Sequence, residues 1–317
     1  MGGDGIQERS EGWRVGVALA VVYLVWGSTF LAIRFAVRTL PPLLMAGTRY
    51  SVAGGVLYGF LRLKGARPPS RSQWLGALVV GALMIGLGNG LLTWSELVLP
   101  SGTAALLVAA MPLWMVLLDW LVFGGRRPRL PVAVGIVAGF AGVALLLGPS
   151  RGSGGGHAAL LGGIAILVGT LGWAYGSLWS RGAAMADPPL LGTASHMLAG
   201  GLTLVTAGLL LGEGHGLSLR AASTRSLLSF AYLVVMGSLV TYTTYMWLLR
   251  HAQASLVSTY AYVNPVVAVF LGWLLAGEAV TARTLVAAAV IVGAVAVIVT
   301  FRRPPRPRAA GARGRLD

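Results

Sequence analysis

The residues of this chain with the widest chemical reach sit inside apolar stretches. Arg49 lies a third to half way through one stretch, and the only two asparagines, Asn89 and Asn264, lie inside two others. A guanidinium in hydrocarbon is costly unless it faces a bundle interior or water. Arg49 therefore reads either as a grip for a carboxylate or phosphate of a cargo, or as a tie to helix-end carbonyls or Glu96. Each asparagine amide either faces a cavity or bonds across helices, the second worth roughly 0.6–2 kcal/mol. His196 can relay a proton near neutral pH or sit neutral and satisfied. Trp26, Trp94, Trp173, Tyr175, Tyr245 and Tyr260, with the hydroxyls of Ser28 and Thr29, complete the candidate binding set. Aromatic walls with a few polar groups suit a small amphipathic organic solute. Membrane Trp and Tyr also populate interfacial belts, so Trp26, Trp173 and Tyr260, near span centres, are the better cavity candidates.

Other chemistry is missing from the pattern. Gly86-Leu-Gly-Asn-Gly90 lacks the strand and helix context of a dinucleotide fingerprint. There is no phosphate-binding loop, zinc helix or Ser-His-Asp arrangement, and the four histidines are scattered. With no cysteine, disulfides and thiolate metal sites are excluded. No cofactor or metal is expected, and a membrane-embedded enzyme or scaffold is the weaker alternative. Glu96, Asp119, Asp187, Glu213 and Glu278 flank apolar runs rather than occupy their centres. Glu96 is the one candidate for coupling to H⁺ or Na⁺, with a cap or a surface ion pair as its plainer role.

The elements that must position these groups are membrane spans. Of 317 residues, 56% are hydrophobic and 10% charged, with a mean hydropathy of +0.79. So few charges cannot cover a soluble surface of this size, so lipid must be the solvent. Ten apolar runs long enough to cross the bilayer cover about 14–37, 40–63, 74–97, 102–123, 130–148, 158–180, 189–211, 226–250, 254–277 and 281–301. The first run is too long for a cleaved signal peptide and reads as a true span.

The net charge of +15 is a matter of placement. With the N-terminus inside, 17 Lys or Arg fall on the cytoplasmic side against 6 opposite, with Arg49 inside a span. That asymmetry fixes orientation, with both termini cytoplasmic. Nucleic acid is not an expected partner, because no aromatic residues interleave these charges. The expected partners are a small-molecule substrate and membrane lipids, with the chain a monomer or homodimer. Residues 151–157 read as a Gly-rich linker and 302–317 as a disordered basic tail lying on anionic headgroups.

The runs fall into two halves, 14–150 and 158–301. A shift of 147 residues places Trp26 on Trp173, Arg34 on Arg181, Arg49 on His196, and Pro41-Pro42-Leu43-Leu44 on Pro188-Pro189-Leu190-Leu191. A shift of 153 places Trp94 on Trp247, Pro112 on Pro265, Trp120 on Trp273 and Gly124 on Gly277. Five spans per half is an odd number, so the halves must be inverted relative to one another. Pro112 and Pro265 sit mid-span and cannot donate to the carbonyls four residues back. Both helices are expected to kink there, as hinges opening polar backbone to a midplane cavity or as packing kinks.

Val25-Trp-Gly-Ser-Thr-Phe-Leu-Ala-Ile-Arg34, Pro41 to Arg49, Pro100-Ser-Gly-Thr-Ala-Ala105 leading to Pro112, and Ser258-Thr-Tyr-Ala-Tyr-Val-Asn-Pro-Val-Val267 followed by Gly277-Glu278 carry a resemblance. They resemble EamA domains of the drug/metabolite transporter superfamily, most closely its YedA-like bacterial permeases. The resemblance implies an all-α polytopic membrane protein with ten transmembrane helices as two inverted five-helix EamA repeats. It implies a central cavity lined by spans 1–4 and 6–9, and export of metabolites, amino acids or toxic compounds. Gly125 departs from the pattern, since many members carry Glu there, as Glu278 does in the second half. The expectation is an inner-membrane secondary transporter exporting a small amphipathic metabolite by alternating access, with a lipid or lipid-linked sugar flippase as the alternative.

Overall fold

The computed structural model describes residues 4–148, 156–216 and 221–301. Among these the chain is helical, with no strand. Ten long helical segments run α1 Asp4–Ala36, α2 Pro42–Leu63, α3 Arg71–Ser95, α4 Ser101–Leu121, α5 Leu130–Leu147, α6 Gly156–Gly182, α7 Pro189–Leu210, α8 Thr224–His251, α9 Tyr260–Ala276 and α10 Ala282–Phe301. Eight of them are long and apolar enough to cross a membrane. The other two are α2, whose apolar run is interrupted by Thr48, Arg49 and Ser51, and the shorter α9. The ends agree with the sequence expectation to within a few residues, except that α1 begins ten residues early, at Asp4, and α9 begins at Tyr260 after a short turn of helix at Ala254–Val257. Helix α6 already starts at Gly156, so the last two residues of the expected linker are helical. The rest of that linker and the basic tail lie outside the described residues.

Local chemistry explains several ends. Pro at the first or second helical position costs no hydrogen bond there, and it opens α2, α5 and α7. Ser70 and Gln73 form a reciprocal capping box at the start of α3. Gly277 ends α9 at φ 64°, and Gly124, its mate by the 153-residue shift, follows α4 at φ 72°. A side chain at either would be strained.

The helices pair across the two halves, and the pairs are reciprocal. Helix α1 packs on α8 and α9, while α6 packs on α3 and α4. Helix α2 packs on α7, α4 on α9 and α5 on α10, each with its own mate under the shift. The closest approaches use glycine. A Cβ on Gly81 of α3 would lie 2.5 Å from the His196 carbonyl and 2.6 Å from the Gly200 amide of α7. One on Gly47 of α2 would lie 2.7 Å from the Val205 amide. Where lipid supplies no hydrophobic drive between helices, such backbone contact is the main source of packing energy.

Four helices are irregular. Residues Ala82–Asn89 of α3 and Leu233–Val240 of α8 are π-helical, the third span of each half. Helix α4 is interrupted at Ala109–Ala110, and its first half packs on α9 while its second half turns to α6. The expected kink at Pro112 is thus a break just ahead of it, with Pro112 at the second position of the new helix. In the second half the expectation is corrected. Pro265 lies inside an uninterrupted helix, and the break comes at Ser258–Thr259. Proline removes one hydrogen bond and does not oblige a helix to end.

Gly81→Ala should lower the unfolding midpoint by the equivalent of about 1–3 kcal/mol, the usual cost of overpacking. Gly59→Ala, with nothing within 4 Å of its added Cβ, should not. Thermal unfolding of the two purified variants checks this.

Candidate functional site

A cavity of about 160 Å3 lies between the two halves, lined from α1, α2, α3, α4, α6, α8 and α9. The irregular helices build it. Its walls include Gly88 and Asn89 at the end of the α3 π segment, and Met111 just past the α4 break. Tyr260 enters just after the break that precedes α9.

The π segment of α8 is the anchor of one wall. Trp26 Nε1 donates to the Gly237 carbonyl at 3.3 Å, and Thr241 Oγ1 donates to the Met236 carbonyl at 2.6 Å. Arg49 Nε donates to Ser238 Oγ at 3.0 Å. A π-bulge leaves carbonyls out of register, and here side chains take them up. Arg49 is 4% exposed. Its guanidinium carbon stands 4.7 Å from the Tyr50 ring centre. Among the described residues it makes no salt bridge. Neither helix-end carbonyls nor Glu96 are its hydrogen-bond partners, so the tie expected as one reading goes to a serine hydroxyl in mid-helix.

The opposite wall repeats this arrangement. Trp173 packs on the α3 π segment, where a Cβ on Gly88 would lie 2.9 Å from its ring. Two polar atoms facing the space are unpartnered, Asn89 Nδ2 and Asn264 Oδ1. The expected asparagine bridges across helices are thus not made by these atoms. Thr29 Oγ1 donates to the Trp26 carbonyl at 2.6 Å and keeps acceptor capacity.

Two layers flank the cavity. Toward the end where Leu40 and Leu99 lie, Phe30, Ile33, Leu92, Leu106 and Leu107 join the largest apolar cluster. That end is laced by polar contacts. Glu278 accepts from the Ser101 amide at 2.7 Å, the Ser101 hydroxyl at 2.8 Å and the Gly102 amide at 3.0 Å, holding the start of α4. Glu213 accepts from the Leu43 and Leu44 amides at the start of α2. Arg34 donates to the Glu96 carbonyl. Carboxylates at helix N-termini satisfy the orphan amides and complement the dipole. On the other side stands an aromatic layer, backed by the apolar cluster of Ala18, Leu19, Val22, Leu248 and Val257. Trp26 packs 5.5 Å from Tyr242 and 5.2 Å from Tyr245 and from Tyr260, centre to centre.

Of the candidates named from sequence, the cavity gathers Trp26, Thr29, Arg49, Asn89, Trp173, Tyr260 and Asn264. Five others lie elsewhere. Ser28 bonds the Tyr232 hydroxyl at 2.6 Å and the Val25 carbonyl at 2.9 Å. Trp94 and Tyr175 are 38% and 37% exposed on the outer surface, Tyr175 against Phe123. His196 sits in α7 with Nδ1 unpartnered, away from the cavity. Tyr245 backs the aromatic layer without lining the space. Glu96 is neither cap-paired nor on the surface. It is wholly buried and neither carboxyl oxygen has a partner. Sequence reasoning missed Ser238 and Tyr50, whereas Tyr242, the mate of Asn89 by the 153-residue shift, lines the cavity as its place among the clustered aromatics suggests. It also missed the capping roles of Glu213 and Glu278.

A family model described as the EamA-like transporter family matches residues 14–148 and again 160–300. The chain belongs to the EamA-like transporter family. It is 39% identical over 295 residues to the uncharacterized inner membrane transporter YedA of Escherichia coli strain K12, covering 92% of each chain. It is 25% identical to the uncharacterized transporter YoaV of Bacillus subtilis, covering 88% of this chain and 94% of that one. A probable amino-acid metabolite efflux pump of Salmonella typhimurium is 27% identical, with 87% and 91% covered. A crystal structure of a protein 20% identical superposes with a TM-score of 0.60 over 91% of this chain and 99% of that one, which shows a shared fold. This EamA-family chain is thus a polytopic membrane protein of a transporter family.

Glu278→Gln should lower the unfolding midpoint by the equivalent of about 1–3 kcal/mol, because hydrogen bonds to a charged acceptor are the stronger kind. The purified variant, unfolded beside the parent, checks it.

Proposed function

We propose that this EamA-family chain is an inner-membrane secondary carrier that exports a small amphipathic metabolite by alternating access. The observation that carries the reading is the cavity itself. It is central, lined from both halves and flanked by an apolar layer laced with carboxylate caps on one side and an aromatic layer backed by a second apolar cluster on the other. A space of this kind, reached from one face at a time, is what a carrier needs. Ten spans in two inverted repeats account for the reciprocal pairing, because the main contacts between halves have counterparts under the sequence shift. With both termini cytoplasmic, the layer laced by Glu213 and Glu278 lies on the outer side and the aromatic layer on the inner side. The name of the Salmonella relative, an efflux pump, supports the outward direction.

Trp26, Thr29, Asn89, Trp173, Tyr260 and Asn264 contact cargo in this reading, and Arg49 fixes its polar end. The breaks at Ala109–Ala110 and Ser258–Thr259 let the halves of the fourth and ninth spans move separately. No covalent step is involved.

Flux into proteoliposomes, measured across a panel of amino acids, organic acids and drug-like compounds with and without a pH gradient, tests the function. A carrier concentrates or exchanges at least one compound between compartments. Product formation in a single compartment with no vectorial movement would contradict it. Arg49→Ala should abolish flux while leaving membrane expression intact, and equal loss of folded protein would make Arg49 structural instead.

A further inference from the structure

The cavity holds a cation and, at Asn264 Oδ1, an unpartnered acceptor. Its lining includes one full charge, Arg49, and no Asp or Glu. Arg49 spends Nε on Ser238, and the guanidinium keeps its terminal donors. Asn89 Nδ2 is a second buried donor without a partner. A desolvated cation and an unsatisfied donor lining one space recognise an acceptor-rich anion, and the lining has no carboxylate to receive an ammonium.

The space is also shaped. A side chamber of about 60 Å3 adjoins it between α4 and α9, sharing Phe30, Val108, Met111, Tyr260 and Asn264 with the main cavity. Its remaining walls are Ala105, Ala109, Pro112, Ala261 and Pro265, small or ring-shaped and without a polar side chain. It lies where the first half of α4 meets α9 and the second half turns away. Beyond it, Pro265 also borders an apolar groove on the outer surface formed with Phe270, Trp273 and Leu285. Apart from Tyr260 and Asn264 at the wall shared with the main cavity, the chamber is apolar and suits an apolar tail.

We infer that the cargo is a net-anionic amphipath, a carboxylate held by Arg49 and Asn89 with an apolar tail entering the chamber between α4 and α9. This rests on the carrier reading for its physiological meaning, though binding tests it separately. It separates the chain from a carrier of zwitterionic amino acids, whose ammonium would find no carboxylate in the cavity lining. It also makes Ala261 a determinant of tail length.

The test is equilibrium binding of tritiated phenylpropionate to the full chain in lipid nanodiscs, with competitors of one shape and different charge. Phenylpropionate should compete about tenfold better than phenylpropionamide, phenylalanine or phenylpropylamine, as expected where a buried charge is left unpaired by the wrong partner. Arg49→Lys should keep that order and Arg49→Met should erase it. Ala261→Leu should weaken phenylpentanoate about fivefold and leave benzoate unchanged, the scale of about one displaced methylene. Competition by the amine or the zwitterion equal to that of the anion would overturn the proposal, and so would failure of the anions to bind at millimolar concentration. An unchanged order in Arg49→Met, with the protein still monodisperse, would overturn it as well. Selective anion binding without flux would instead overturn the carrier reading and leave this inference standing.

Discussion

Hydrocarbon cannot hydrogen-bond, and that constraint organises this structure. A chain that must fill a bilayer with regular helices has few places to put free polar groups. Here the departures from regularity border one space. The π segment of α3 reaches it, as does the break in α4, while the π segment of α8 holds two lining residues, Trp26 and Arg49, and the break before α9 lies next to Tyr260. On the α8 side the displaced carbonyls are taken by Trp26 and Thr241, and Arg49 docks on Ser238 in the same turn. The groups that fix the wall also leave the cavity its one cation.

The two closures differ in kind. The laced end depends on carboxylates from connecting segments, Glu213 and Glu278, that cap helices of the other half. Such contacts are directional and are made or lost as units. The aromatic layer has rings about 5–6 Å apart at tilted and edge-on angles. Aromatic pairs tolerate several such geometries at similar energy. One closure is a latch and the other a soft stopper. Glu96, buried beside Arg34 at the latched end with no partner for its carboxyl oxygens, is the chief polar irregularity outside the cavity.

Much of this was legible in the sequence, for identifiable reasons. Span positions follow from hydropathy, and Trp26, Trp173 and the paired prolines are rare residue types whose recurrence marks equivalent positions. Arg49 and the two asparagines stood out because polar side chains in spans must face protein or water. The facing of Trp94 and Tyr175 was not legible. Spans apolar all round carry no periodic signal to say which side meets lipid. The π segments were hidden for a similar reason, since a one-residue shift in helical register leaves no mark in Ala-Leu-Met-Ile-Gly-Leu-Gly-Asn. Pro265 shows the limit of a single-residue rule, with the break falling at Ser258–Thr259 instead. The capping glutamates were invisible because the residues they cap are far away in sequence.

The absence of cysteine makes the central claim directly testable. A single cysteine replacing Thr29, in the cavity, can be challenged with a membrane-impermeant thiol reagent from either face of oriented vesicles. Alternating access predicts modification from both faces, with a saturating transported compound accelerating one and slowing the other in the same preparation. Modification confined to one face whatever compound is present, or rates at both faces rising together, would contradict it.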